Sequence, residues 1–361
     1  MKTGKLKLVL YGVILASFVG VYSCSTTDVV PAVDKVALGA AVSAARTLHD
    51  GSLEGVATGN YLKGSKAVFQ TAITAAEAVV LNASTTQVQV TAATASLADA
   101  STVFAGKLVT PIDPTNLVGH WTFDEVTTVT PNTVVKDYSG NLRNGSIKVG
   151  HAFWGAGAIA LAADRNGTAG KALRFNNGAN VEIPYSTALN PATMSISIWA
   201  KPDVQTPTPQ NNQYFISMNR WNGWKFNFQD TPRAFFTCTY DNPPAVNQCC
   251  YDRDQNVGTS PQGAWHHYVV TFGGGKETFY IDGILVFEWT NTPGTISLLT
   301  APINLVLGQD LPTNIYVTTP DTSPFYVNYG GYYIGLLDEV RMYKSVLTAA
   351  QVTSIYNVEK P

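Results

Sequence analysis

From residue 117 onward the chain is written in short runs in which apolar or aromatic positions alternate with polar or small ones. Alternation with period two is how a half-buried strand reads. Leu117–Glu125 and Leu337–Tyr343 show it most clearly, and they bracket further runs at Lys171–Phe175, Val181–Pro184, Met194–Lys201, Tyr214–Ser217, Trp224–Phe228, Ala234–Thr239, Trp265–Phe272, Glu277–Ile281, Leu285–Trp289 and Ile303–Leu307. Clusters of Gly, Asn, Asp and Pro separate them, which predicts a mainly β, two-sheet antiparallel sandwich or jelly roll over 117–358 with its first and last strands side by side. Over 31–108 the period changes to that of a helix. Helices are expected near Ala32–Leu48, ending at His49-Asp50-Gly51, and over Ser65–Leu81, with Val68, Phe69, Ile73, Ala76 and Val80 on one face. A third follows a cap at Ser84-Thr85 and carries Val88, Ala92, Leu97, Ala100 and Phe104. None can hide its stripe alone, so a three-helix bundle is predicted. Pro111 and Pro114 then mark a linker over 109–116, where neither helix nor regular pairing can continue.

The first residues change the picture of where the chain works. Lys2, Lys5 and Lys7 precede an apolar stretch from Leu8 to Tyr22, and Ser23-Cys24 closes it. This resembles a bacterial lipoprotein signal, of the looser kind found in Bacteroidetes-like lipoproteins. The resemblance implies a signal peptide over 1–23, lipidation of Cys24, a tether over 24–30, and anchoring in the cell envelope, at the outer membrane. The apolar stretch is shorter than the roughly 20 residues of a membrane span. Net charge is −2, and loss of the three leader lysines leaves about −5. With 13% charged residues and no basic patch, the composition argues against a nucleic-acid partner.

Within the β region a series of words stands in a fixed order: Val118-Gly119-His120-Trp121-Thr122-Phe123-Asp124-Glu125, Asp137-Tyr138-Ser139-Gly140-Asn141, Gly170–Phe175, Val181–Pro184, Ser195–Pro202, Gly263–Thr271, Phe279-Tyr280-Ile281-Asp282-Gly283 and Gly335–Tyr343. As a set it resembles the LamG-like, concanavalin A-like lectin/glucanase superfamily of exported jelly rolls. The helical segment, from Tyr61 through Phe69, Ile73, Val80, Val90 and Leu97 to Phe104, resembles the FIVAR modules of bacterial surface proteins; a plain helical spacer explains the same pattern. Most of the words have structural explanations. Asp282-Gly283 suits a hairpin turn needing positive φ, and Asp137–Asn141 reads as an Asx-type turn. His266 and His267 are adjacent on one strand and face opposite ways, so they cannot jointly grip a metal or substrate. Trp121, Trp199 and Trp265 are expected in the core.

Catalytic chemistry is hard to find. Glycosidases need two carboxylates across the sugar, and the β-glucanases of this superfamily carry them as Glu-x-Asp on one strand; no Glu-x-Asp occurs here. No Gly-x-Ser-x-Gly or His-Glu-x-x-His occurs either. The expected function is therefore non-catalytic carbohydrate binding. A glycoside hydrolase or lyase whose acids come from different strands, and a protein-binding adhesion module, are the alternatives. Exposed aromatics that stack on pyranose faces are the expected tools. Trp221 and Trp224 lie at one tip beside Arg220, with the core favoured for Trp224. Tyr240, Asp241, Tyr251 and Asp252 lie in a Cys-containing insertion, and Tyr316, Tyr326, Tyr329, Tyr332 and Tyr333 in a second. Cys238 is expected to pair with Cys249 or Cys250 across Asp241-Asn242-Pro243-Pro244. Calcium is the one cofactor considered, with Asp252 and Asp254 on a loop and Asp124 and Asp338 near paired strands as candidate ligands.

Overall fold

The computed structural model describes residues 32–204, 212–229, 231–299, 303–319 and 323–361. The leader, the tether and Cys24 lie outside the described residues.

Helices α1 (Val36–Gly51), α2 (Ser65–Leu81) and α3 (Gln87–Ala105) form the bundle. Leu38, Phe69, Ile73, Ala76, Val90, Leu97 and Phe104 make its core, and Tyr61 stacks on Phe104 at 4.2 Å. Val68 and Val88, expected inside, are 70% and 79% exposed; the buried stripes run through Phe69, Ile73 and Ala76 on α2 and through Val90, Leu97 and Phe104 on α3. The α3 cap is Thr86 rather than Ser84-Thr85, because Thr86 forms a reciprocal capping box with Gln89.

Among the described residues seventeen strands follow. In chain order they are β1 (Leu117–Trp121), β2 (Val134–Val135), β3 (Gly145–Lys148), β4 (Ala160–Ala162), β5 (Ala172–Phe175), β6 (Asn180–Ile183), β7 (Met194–Pro202), β8 (Gln213–Met218) and β9 (Trp224–Phe228). The series continues with β10 (Ala234–Asn242), β11 (Ala245–Asp254), β12 (His266–Gly273), β13 (Lys276–Ile281), β14 (Ile284–Thr290), β15 (Thr295–Ile296), β16 (Leu305–Leu307) and β17 (Gly335–Tyr343). A fourth helix, α4 (Ala349–Glu359), ends the chain. An eight-stranded sheet runs β14-β13-β12-β7-β17-β5-β4 with β1 beside β17, and a nine-stranded sheet runs β11-β10-β9-β8-β16-β6-β3-β2 with β15 beside β10. All pairings are antiparallel.

The first and last strands are neighbours, with His120 opposite Arg341 and Trp121 opposite Val340. A bulge at Glu339, which sits at φ 50°, interrupts β17. The extra residue puts Asp338, Glu339 and Arg341 on the outer side while Leu337, Val340 and Met342 stay in the core. The inner faces of both sheets meet in one cluster that includes Trp121, Phe175, Phe215, Trp224, Phe226, Tyr268, Phe279 and Met342. Trp199 is buried on the other face of its sheet, stacked on His267 and Tyr356. Trp265, expected in the core, is only half-buried because β12 begins after it.

Helix α4 has no counterpart in the sequence reading. It lies over the outer side of the eight-stranded sheet, packing Val352 and Ile355 against Val269, Tyr280 and Tyr343. The linker runs along it: the Thr110 N–H donates to Ser354 Oγ at 2.9 Å and Gln351 Nε2 donates to the Pro111 carbonyl at 2.8 Å. The Asx turn forms, with Asp137 Oδ1 accepting from the Ser139 N–H at 2.8 Å, and the Asp282-Gly283 turn has both residues at positive φ.

Candidate functional site

Residues at matched register on neighbouring strands point to the same face of a sheet. Following that rule across the nine-stranded sheet gives an outer row of Asp252, Thr237, Lys225, Ser217, Val306 and Glu182. The adjacent row holds Phe235, Asn227 and Tyr214. One half of this face is closed by the chain itself. The segment after β16 folds back so that Ser217 Oγ donates to the Asp310 carbonyl at 2.8 Å and Glu182 accepts from the Thr313 N–H at 3.1 Å. Asp310, fully buried, takes Arg220 Nε at 2.5 Å and accepts from the Tyr316 hydroxyl. Arg220 Nη1 also donates to the Pro324 and Tyr326 carbonyls at 2.9 and 3.3 Å.

The other half centres on Trp221 and Lys225. The β8–β9 hairpin places Asn219 and Arg220 at positive φ, a conformation that non-glycine residues hold only when surrounding contacts impose it. The Arg220–Asp310 pair supplies those contacts. Gly223 completes the turn: a Cβ there would strike the Met218 carbonyl and lie 2.9 Å from Leu299. Trp221 thus emerges at the tip, 37% exposed, whereas the other six tryptophans are buried or half-buried. Its ring lies 5.1 Å from the Arg220 guanidinium, 5.7 Å from the Lys225 ammonium and 5.7 Å from the Tyr329 ring, itself 41% exposed. The Cys249 and Cys250 sulfurs sit 3.5 and 3.7 Å from the Trp221 carbonyl oxygen, bringing the tip of the β10–β11 hairpin against the same residue.

Lys225 is the unusual member. It is 5% exposed, and its ammonium faces the rings of Tyr214, Trp221 and Phe235 at 5.6, 5.7 and 6.0 Å. Burial pushes the group down to about 8; Arg220 adds to this, and Asp310 and Asp252 oppose it from a distance.

The residues expected to bind sugar therefore separate. Trp221 and Asp252 lie on this face, Asp252 exposed and accepting from the Thr237 hydroxyl. Trp224 is fully buried in the core, and Tyr251 joins it there, packed against Phe272. Tyr240 is half-buried against the same core, and Asp241 is spent on the Asn247 N–H and the Ser297 hydroxyl at 2.8 and 2.7 Å. Tyr251, Tyr240 and Asp241 correct the sequence reading, because the insertion pairs as the bulged β10–β11 hairpin and is not a projecting loop. Of the second insertion Tyr329 reaches the site, Tyr326 packs on Tyr329, and Tyr316 and Tyr333 are buried.

The cysteine expectation is corrected as well. Cys249 and Cys250 are bonded to each other, and Cys238 is free and buried. Cys238 lies on the inner side of β10, facing the core, while the adjacent pair sits on the outer hairpin.

Asp252, Asp254 and Asp338, three of the four acids considered for calcium, are engaged by the chain. Asp254 pairs with Arg233 at 3.2 Å and accepts from the Asn256 N–H at 2.7 Å. Asp338 pairs with Arg165 at 2.5 Å, and Asp124 lies near Lys171 and Arg165. No group of three or more metal-ligating side chains occurs among the described residues. The acids that do cluster, Asp338, Glu339 and Glu359, are tied to Arg165, Arg341 and His120 beneath α4. Burial lifts the Glu277 carboxyl well above its ordinary range, and it is sealed inside the sandwich with no exposure. His266 holds Asp282 at 2.7 Å, and His267 holds Ser197 at 2.7 Å, on opposite faces. A cleft of about 760 Å³ lies between the bundle and α4, and no aromatic side chain lines it.

Residues 175–353 match the family described as the concanavalin A-like lectin/glucanases superfamily. Among solved structures, domain 4 of a GH43 extracellular arabinanase from Geobacillus stearothermophilus, in complex with arabinotriose, is 22% identical with a TM-score of 0.44, over 67% of this chain and 98% of that one. The binding domain of Paraclostridial Mosquitocidal Protein 1 is 16% identical (TM-score 0.44), over 67% of this chain and 52% of that one. The binding domain of botulinum neurotoxin DC in complex with SialylT is 11% identical (TM-score 0.44), over 68% of this chain and 51% of that one. This chain thus spans about half the length of the two toxin domains. A search of curated proteins returned no match.

Proposed function

We propose that the sandwich binds a glycan without cleaving it, on the outer face of the nine-stranded sheet around Trp221. The observation that carries this reading is the exposed Trp221 ring, held at a rigid tip beside Tyr329 and above a buried cation. Aromatic faces with a few polar groups at their edge are what a pyranose ring needs. The hairpin tip, clamped by the Arg220–Asp310 pair and backed by the bonded Cys249–Cys250, is ordered before any ligand arrives, which lowers the entropic cost of binding. Lys2, Lys5, Lys7, the apolar stretch and Cys24 support display from a lipid anchor, with the helical bundle as spacer.

The test is a glycan array with reducing-sugar release measured on every hit. Retention without release, lost in Trp221→Ala, is the expected result. Turnover abolished by changing a single acid would establish the enzyme instead, and a protein pull-down that depends on Trp221 with no glycan retained would favour an adhesion module. Incorporation of a radiolabelled fatty acid, lost in Cys24→Ser, checks the anchor.

A further inference from the structure

Two cations are buried on the outer face of the nine-stranded sheet, and the chain treats them differently. Arg220 receives a carboxylate and two carbonyls. Lys225, across the hairpin turn and 5% exposed, faces three aromatic rings where Arg220 faces a carboxylate and carbonyls. Cation–π contact at these distances is a partial substitute for water. A buried ammonium normally finds a carboxylate or carbonyl, because leaving it unpaired costs more than any other arrangement of that side chain. Thr237, its cross-strand neighbour, spends its hydroxyl proton on Asp252. Asn227, in the adjacent row of the same face, also keeps a buried side-chain oxygen without a donor. The Trp221 ring, chosen above as the stacking platform, lies 5.7 Å from the same ammonium.

We infer that the saccharide taken by this face is acidic, a uronate-type sugar whose carboxylate sits on the Lys225 ammonium while its ring stacks on Trp221. This rests on the glycan-binding reading and narrows it to a ligand class. A neutral sugar can accept hydrogen bonds from an ammonium but returns no charge to it, whereas a carboxylate returns the partner that the fold withholds. Asp252, at the rim and solvated, is placed to accept sugar hydroxyls and to turn away an anion bound on the wrong side.

The test is affinity electrophoresis of the full chain through gels containing polygalacturonate, alginate or hyaluronate, with fully methyl-esterified pectin and arabinan as neutral counterparts. At least one acidic polymer should retard the protein, and about 1 M salt should weaken that retardation, since the attraction is partly screened. Lys225→Met should lose about tenfold or more in affinity for the acidic polymer, the loss expected when a charged hydrogen bond disappears. Lys225→Arg should retain part of it. Neutral polymers should be bound weakly, and equally by wild type and Lys225→Met. A melting temperature for Lys225→Met no lower than wild type separates lost contact from lost fold, and should it fall, salt dependence of the wild type and Lys225→Arg decide. Neutral polymers bound as tightly as acidic ones, or acidic binding unchanged in Lys225→Met, would overturn the inference and leave glycan binding standing. No retardation by any polymer would overturn both.

Discussion

The two outer faces of the sandwich are built from the same alternation of residues and end in opposite states. On the eight-stranded sheet the outward polar side chains meet one another. Arg165 pairs with Asp338 at 2.5 Å, Arg341 with Glu339 and Glu359 at 2.6 Å each, His120 with Glu339 at 2.7 Å, and Trp199 Nε1 donates to Glu359 at 2.8 Å. Helix α4 then seals the network. On the nine-stranded sheet the chain closes only the half occupied by Asp310 and leaves Lys225 facing rings. A buried charge with a partner from the chain is a structural element. One without a partner marks a place where the partner comes from outside.

This contrast can be broken at either face. Arg341→Leu strips two acids of their partner beneath α4 and should cost up to about 5 kcal/mol, the range for breaking a buried ion pair, read from urea unfolding. The same face should make the protein acid-sensitive. Burial holds His267 down to about 3, with Arg341 and Arg165 adding to the effect and Asp282 opposing it. The unfolded chain takes up that proton below about 6.5 and the folded chain does not, so stability falls as pH drops from about 6.5 toward about 3, by roughly 4 kcal/mol in total. The urea midpoints of wild type and His267→Asn should therefore converge toward acid pH; parallel profiles would contradict this.

On the open face the sign is the same and the window lies higher. Lys225 has its folded value near 8 against about 10.5 in the unfolded chain, so its burial costs stability below about pH 8, and the cost is relieved as pH rises toward 10.5. Lys225→Met should thus stabilise the free protein by up to about 3 kcal/mol near neutral pH, with the gain shrinking above about pH 8. A loss of stability would mean that the ammonium is held by the fold after all. Trp221→Ala should change stability least, by about 0.5 kcal/mol or less, as for a surface residue, while removing glycan retention.

Much of the fold was legible in the chain. Trp224–Phe228 and Ser65–Leu81 match their elements residue for residue, because each pairs a clear apolar period with turn residues at both ends. Strand β11 escaped because Ala245–Asp254 presents mostly exposed polar residues and acquires its pairing from β10. Helix α4 escaped because its apolar stripe is weak, although Thr348-x-x-Gln351 is a capping-box word that announces a helix start. At the site, Trp221 could be chosen from its place at a turn. Lys225 could not: a lysine between Trp224 and Phe226 reads as a solvated outward position, and what buries it arrives from strands and segments far away in sequence. The fates of Tyr251 and Asp241 turned on the hairpin register, which composition does not encode.

The central claim, that the Trp221 face is where a saccharide sits, is tested most directly by hydroxyl-radical footprinting read by mass spectrometry, with and without a saturating glycan. The account predicts protection of Trp221 and Tyr329, with the half-buried Trp265 and Trp289 unchanged. Protection confined to the cleft between the bundle and α4, with Trp221 oxidised at the same rate in the complex as in the free protein, would contradict it.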